Sequence, residues 1–194
     1  ESMQSRFSAT GIKIISSLVD VTNFLTFDRC RPLHVFDFDK VKGNITIRYS
    51  KDGEEFTGLD GIKYKLENDM VVICDDNGII SLAGIMGGER TGCDIDTKNV
   101  LLESAYFLPE RIAFAGRKLS IQSDARYRFE RGIDPASTLE GLNIATQLIQ
   151  EKCGGEVGSI IHSGGFKNKI TKIKLATSEV NKVLGFDFDS EYIE

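Results

Sequence analysis

The stretch MVVICDDNGIISLAGI, Met70 to Ile85, constrains this chain more than any other. Two apolar, β-prone runs flank Asp75-Asp76-Asn77-Gly78, whose Asn-Gly pair supplies the positive φ that a tight hairpin turn demands. Upstream, Gly43 to Ser50 alternates through Ile45, Ile47 and Tyr49, the period of a half-buried strand. Downstream, NVLLESAYF reads as an apolar strand interrupted by one acid, Glu103. Helical spacing appears over Ile14 to Phe27, with Ile15, Leu18, Val19, Thr22 and Leu25 on one face and Asp20, Asn23 and Phe27 on a neighbouring one. Pro109 opens a helix that runs to Leu119. The strongest helical pattern is Pro135 to Cys153: Asp134 is placed to cap it, Leu139, Leu142, Ala145, Leu148 and Ile149 form its buried stripe, and Gly154-Gly155 ends it. Strands gather before Tyr106 and helices flank or follow them. The expected fold class is therefore α+β, with mixed or antiparallel sheets flanked by helices.

With 194 residues, 41% of them apolar, the chain is long enough to bury a core without metal or disulfide staples. No apolar run approaches a membrane span, and no secretory pattern opens the chain, so it reads as cytoplasmic. Cys30, Cys74, Cys93 and Cys153 are too widely spaced for a CxxC pair and are expected to be reduced and mostly structural. The net charge of -5 argues against a generic nucleic-acid clamp. Charge is uneven, however: between Arg111 and Arg131 six basic residues face only Asp124 and Glu130. A basic segment on an acidic body suits one polyanion contact or a solvated charged face.

Residues 1–10 are polar and show no clear element; they are expected to be a cut edge or expression remnant. Residues 11–165 are expected to form one domain, and His162 to Lys169 a polar linker. The pattern then restarts over residues 170–194, with IKL as a strand and Ser178 capping a short helix that Gly185 closes. This last part reads as the truncated start of a further domain.

Four places can carry chemistry. Glu103 sits where the pattern would bury it, and an unpaired buried carboxylate is expensive, so it either faces a polar pocket or pairs with an Arg. LAGIMGGE places Gly84, Gly87 and Gly88 after the hairpin, where backbone amides can approach a ligand, or where the chain merely turns. RPLHVFDFD combines His34 with Asp37 and Asp39: a structural histidine or a metal site without a second histidine. SDARYRFERGID crowds Ser123, Asp124, Arg126, Arg128, Glu130 and Arg131 into one stretch, which suits a self-paired surface network. No GxSxG elbow accompanies any of them.

Together the strings VDVTNF, RPLHVFDFD, LAGIMGGE, LLESAYF and SDARYRFERGIDP, in this order, closely resemble the editing domain of the bacterial phenylalanyl-tRNA synthetase beta subunit. The resemblance runs from about Gly11 to Gly155, and the tail from Ile170 is similar to the start of the next beta-subunit domain. It implies hydrolysis of tyrosine mischarged onto phenylalanine tRNA, within an enzyme that ligates phenylalanine to that tRNA. A pocket built for Phe rejects Tyr poorly, so a second site must favour the extra hydroxyl.

By motif, the resemblance assigns Glu103 to reading the tyrosine hydroxyl and Gly84 to backbone contact. His34 and Asn23 are implied to order the scissile ester and the hydrolytic water, and Ser123 and Ala125 to line the pocket. Two positions depart from the family pattern. Ser123 stands where Thr is usual, and Arg126 where a small Ser is usual; Arg126 is expected to crowd the site or to point at tRNA. Implied partners are phenylalanine tRNA, tyrosine as editing ligand, and the alpha subunit in an alpha2beta2 enzyme, with no membrane. The segment itself is expected to use no metal or other cofactor, while ATP and Mg2+ serve the intact enzyme. Two other readings compete: a non-catalytic tRNA-docking or assembly module with a vestigial pocket, and a metal hydrolase around His34, Asp37 and Asp39.

Overall fold

A computed structural model describes residues 3–165 and 172–193. The first two residues and four positions of the expected His162 to Lys169 linker lie outside them. The chain divides into two compact units, Glu1–Ile161 and His162–Glu194.

The first unit opens with α1 (Met3–Thr10) and α2 (Ser17–Asp28). Residues 1–10 thus contain a helix that their polarity hides, and it is anchored by Phe7, which is buried. α2 begins three residues later than its apolar spacing suggests, because the Ser16 hydroxyl caps it by accepting from Val19 N. Its face of Val21, Thr22 and Leu25 is buried. Eight strands follow among the described residues: β1 (His34–Asp37), β2 (Thr46–Tyr49), β3 (Glu55–Thr57), β4 (Lys63–Lys65), β5 (Val71–Asp75), β6 (Gly78–Leu82), β7 (Met86–Gly87) and β8 (Val100–Glu103). They form three antiparallel sheets: β1 with β8, β3 with β4, and a four-stranded sheet in the order β2-β5-β6-β7.

The hairpin is β5 and β6, in register Asp75↔Gly78, with the positive φ on Gly78 and not on Asn77. β2 presents its alternation differently from expectation. Ile47 and Tyr49 stand opposite Ile73 and Val71 but are exposed, as is Ile45, so the face expected to be half-buried is open on this edge strand. The Arg111 guanidinium lies 5.2 Å over the Tyr49 ring. Arg48, on the other face, makes two hydrogen bonds to Glu54 at 2.9 and 2.8 Å.

α3 (Pro109–Lys118), α4 (Asp124–Phe129) and α5 (Ser137–Cys153) complete the unit. The main core joins Phe36, Val72, Ile80, Leu82, Phe107, Ile112 and Phe129. A second, smaller cluster joins α2 to α5 through Val21, Leu25 and Ala145. The α5 stripe is narrower than its spacing suggests: Ala145 and Gly141 are buried, but Leu139 is exposed. Asp134 Oδ1 accepts from Ala136 N in the turn before the helix instead of capping its first turn.

In the second unit, α6 (Thr177–Leu184) and α7 (Ser190–Ile193) are the described elements. IKL is not a strand, having no partner strand among the described residues, and Ser178 lies inside α6 instead of capping it. Gly185 closes α6 in the left-handed conformation, φ +73.

Candidate active site

The β1–β8 ladder makes the first half of the site. Its register pairs His34 with Glu103, so two residues far apart in sequence stand directly opposite and on one face. The segment leading into β1 is held by Arg31, which is 1% exposed. Its Nε donates to Ser137 Oγ at 3.0 Å, its Nη1 to Ala105 O at 2.9 Å, and its Nη2 to Asp134 O. One buried guanidinium therefore ties the start of α5 and the end of β8 to Pro32, Leu33 and His34.

The second half comes from the β6–β7 turn and from α4. Gly84 has φ +68, and a Cβ there would stand 2.8 Å from Phe107 and 3.2 Å from Phe129, so the turn needs glycine for conformation and for space. Ser123 caps α4: its hydroxyl accepts from Arg126 N at 3.0 Å and donates to Ile85 O at 2.7 Å. That tether sets Ala125 and Phe129, one helical turn apart, against the glycine turn.

Between the halves lies a small half-open cleft of about 70 Å³. His34, Gly84, Glu103 and Ala125 line it, joined by Pro32, Leu33, Ser81, Ile85, Met86, Gly87 and Phe129. Four of the six residues singled out from sequence thus meet. Ser123 supports the wall without lining it. Asn23 stands half-buried on α2 and is not part of the wall.

Among the described residues, neither titratable side chain in the cleft has a hydrogen-bond or ion-pair partner. The Glu103 carboxyl forms no hydrogen bond or ion pair among the described residues, and desolvation pushes it up to about 7. Burial lowers His34 to about 4, so its imidazole is neutral at physiological pH. Its Nε2 is enclosed without a hydrogen-bond partner, and the ring meets Phe36 edge-on at 4.3 Å. Near neutrality the cleft therefore presents a neutral imidazole and a carboxyl that exchanges readily between its two forms.

The neighbouring acids do other work. Asp37 lies three residues along β1, where its carboxylate accepts from Thr97 Oγ1 at 2.7 Å and pairs with Lys40 at 3.2 Å. Burial pushes this carboxyl up, but those bonds more than offset it and hold it below the usual range. Asp39 accepts from Asn99 Nδ2. Among the described residues no cluster of three or more His, Cys, Asp or Glu is placed to hold a metal ion.

Arg126 neither crowds the cleft nor reaches outward. Its side chain is buried, with Nη1 donating to Gly116 O at 3.1 Å and Ile121 O at 2.6 Å, and Nε to Glu130 at 3.0 Å. Arg128 pairs with Asp124, and Arg131 with Glu130, so this stretch is the self-paired network that its composition suggested. The four cysteines are free thiols. No helix among the described residues is long and apolar enough to cross a membrane.

The residues that sequence reasoning missed are mainly apolar or small. Leu33, Ile85 and Phe129 carry no chemical signature, and Arg31 gives no sign in sequence of the three acceptors it finds. Gly87 was visible as part of a glycine cluster, without any indication of what it touches.

Comparison with known proteins agrees with the motif resemblance. The beta subunit of phenylalanine–tRNA ligase from Rhodopseudomonas palustris is 51% identical over 189 residues, covering 96% of this chain and 23% of that protein. The same subunit from Brucella abortus is 50% identical over 190 residues, covering 97% and 24%. The chain thus spans about a quarter of the length of the curated relatives it matches. A crystal structure of an N-terminal fragment of the phenylalanyl-tRNA synthetase beta subunit from Pyrococcus horikoshii aligns with a TM-score of 0.49 at 17% identity, covering 91% of this chain and 52% of that one. The B3/4 domain family model matches residues 1–154, a span that holds both strands of the His34–Glu103 pair, the glycine turn and α4. This chain belongs to the B3/4 domain family.

Proposed function

We propose that the cleft hydrolyses the ester of tyrosine mischarged onto phenylalanine tRNA, as the editing part of a phenylalanyl-tRNA synthetase beta subunit. The observation that carries this reading is the Glu103 carboxyl, unpartnered and facing the same cleft as His34. A desolvated carboxylate accepts the phenol proton of tyrosine and gains a partner. A phenylalanine ring leaves it unpaired, a difference of about 1–3 kcal/mol.

In the reaction, water attacks the ester carbonyl carbon. The bond from that carbon to the ribose oxygen of the terminal adenosine breaks, the ribose oxygen takes a proton, and free tyrosine leaves. A neutral imidazole near pKa 4 is a weak base, which suits His34 to orienting water and ester by hydrogen bonding. Gly84 and Ala125 leave room for the aromatic ring and the backbone of the amino acid. Ser123 acts through the α4 wall, and Asn23 through the part of the substrate that extends past the cleft. In the intact enzyme, an alpha subunit with ATP and Mg2+ would perform aminoacylation, and the assembly would work in the cytoplasm with phenylalanine tRNA as shared partner.

Deacylation of tyrosyl- and phenylalanyl-tRNA by this chain tests the reading. Wild type is expected to prefer the tyrosyl ester, and Glu103→Ala to lose that preference, about tenfold or more, while staying folded. An inactive wild-type chain that still binds tRNA would favour a docking module, and unchanged discrimination in the variant would make Glu103 structural.

A further inference from the structure

Gly87 is buried in β7, and its φ is not positive, so backbone conformation does not demand a glycine there. Space does. A Cβ built on Gly87 would run into Cε1 of His34 and stand 2.6 Å from its Nε2. The imidazole lies on the bare Cα, and this contact encloses Nε2 where no hydrogen-bond partner reaches it. With Nε2 enclosed and unpartnered, Nδ1 is the ring nitrogen left to meet a ligand.

Gly88 beside it differs. A Cβ there would stand 2.7 Å from the Ile80 carbonyl oxygen and 3.2 Å from the Phe56 ring, against backbone and core. Its own N–H donates to Ile80 O at 2.8 Å. Of two adjacent glycines, one lets the sheet close and the other makes room for a site residue.

We infer that Gly87 is a positioning residue: its missing side chain is the seat of the His34 ring and selects the nitrogen His34 offers to the substrate. The inference rests on the hydrolytic reading for its consequence in catalysis, but the seat itself is a property of the protein without substrate. Any side chain at 87 tilts the imidazole out of its seat. The ring then gains access to water and no longer points Nδ1 at the ester.

The test is a double-mutant cycle on the whole chain with Gly87→Ala, His34→Ala and the combination, read in two ways. Imidazole NMR titration comes first; the chain has two histidines, so loss of one resonance in His34→Ala assigns it. Wild-type His34 is expected to titrate near 4, and in Gly87→Ala to move toward the ordinary value of 6.5. Deacylation of tyrosyl-tRNA comes second. Gly87→Ala is expected to lower kcat about a hundredfold, as a misplaced catalytic group does, with KM unchanged. His34→Ala should fall equally far, and the double variant no further.

If Gly87→Ala fails to fold, the double variant should fold again, because removing the ring vacates the space; Gly88→Ala should not be rescued by His34→Ala. Additive losses in the cycle, an unshifted titration, or a double variant that stays unfolded would overturn the inference. A wild-type chain without deacylase activity would instead defeat the hydrolytic reading, leaving the titration to decide the seat.

Discussion

At the scale of single residues, Glu103 and His34 are both held against their preferred ionisation, and they act on stability in opposite directions. Glu103 has a folded pKa near 7 against an ordinary 4.5, so the folded state retains a proton that the unfolded chain releases. Stability is greatest below 4.5 and falls as pH rises to about 7. His34 has a folded pKa near 4 against 6.5, so stability falls as pH drops from 6.5 toward 4. Between 4.5 and 6.5 the two slopes oppose each other and largely cancel. Glu103→Gln removes one of them. Urea unfolding should find that variant equal to wild type near pH 4.5 but about 2–3 kcal/mol more stable near pH 8. A wild-type advantage at the higher pH would mean that the carboxylate has a partner in solution. Neither shift is legible in sequence, because both depend on what closes over the two side chains. The acid inside LLESAYF and the lone histidine of RPLHVFD were nevertheless visible as the residues to watch.

Elements show where sequence reasoning holds and where it stops. The β5–β6 hairpin, α3 and α5 carry strong local signals: an Asn-Gly turn, a proline at the first helical position, a glycine after the last turn. They form as those signals predict. α1 has no such signal and depends on burying Phe7, a tertiary event. β2 leaves Ile47 and Tyr49 exposed, because among the described residues no element buries that side of an edge strand, which alternation alone cannot show. The pairing of β1 with β8 is equally hidden, since nothing local links two strands so far apart in sequence, and half of the site follows from that register.

α4 has only six residues, and its placement rests heavily on the Ser123 hydroxyl. Ser123→Ala is expected to cost about 1 kcal/mol in unfolding free energy and to loosen the Ala125–Phe129 wall, whereas Ser123→Thr should retain the cap. Denaturation midpoints for the pair check this. Equal loss in both variants would assign the effect to volume and not to the hydroxyl.

For the molecule as a whole, the proposed function requires an acidic chain to hold a polyanion. The paired arginines of the 124–131 network have acidic partners close by, which leaves Arg117 and Lys118 at the end of α3 as the more available cations. Arg117 donates to Ala113 O, and Lys118 has a half-exposed pair with Glu67, worth little in water. The Arg117→Ala, Lys118→Ala double variant should weaken tRNA association and lower its salt slope by about one to two. Free tyrosine binding should survive. An unchanged slope would move the tRNA contacts elsewhere.

The ladder has one more consequence. β1 and β8 are the two ends of a long excursion, and just beyond β1 the Phe38 N–H donates to Asn99 O at 2.9 Å, closing its neck. Everything from residue 39 to residue 98 leaves and returns at that point. Chain length inside the excursion is thereby uncoupled from the distance between His34 and Glu103. Its exposed turns, around Asp52 and around Gly61, are natural places to graft a tag, a fluorophore or a foreign loop that reports on the cleft without altering the spacing of the two groups it contains.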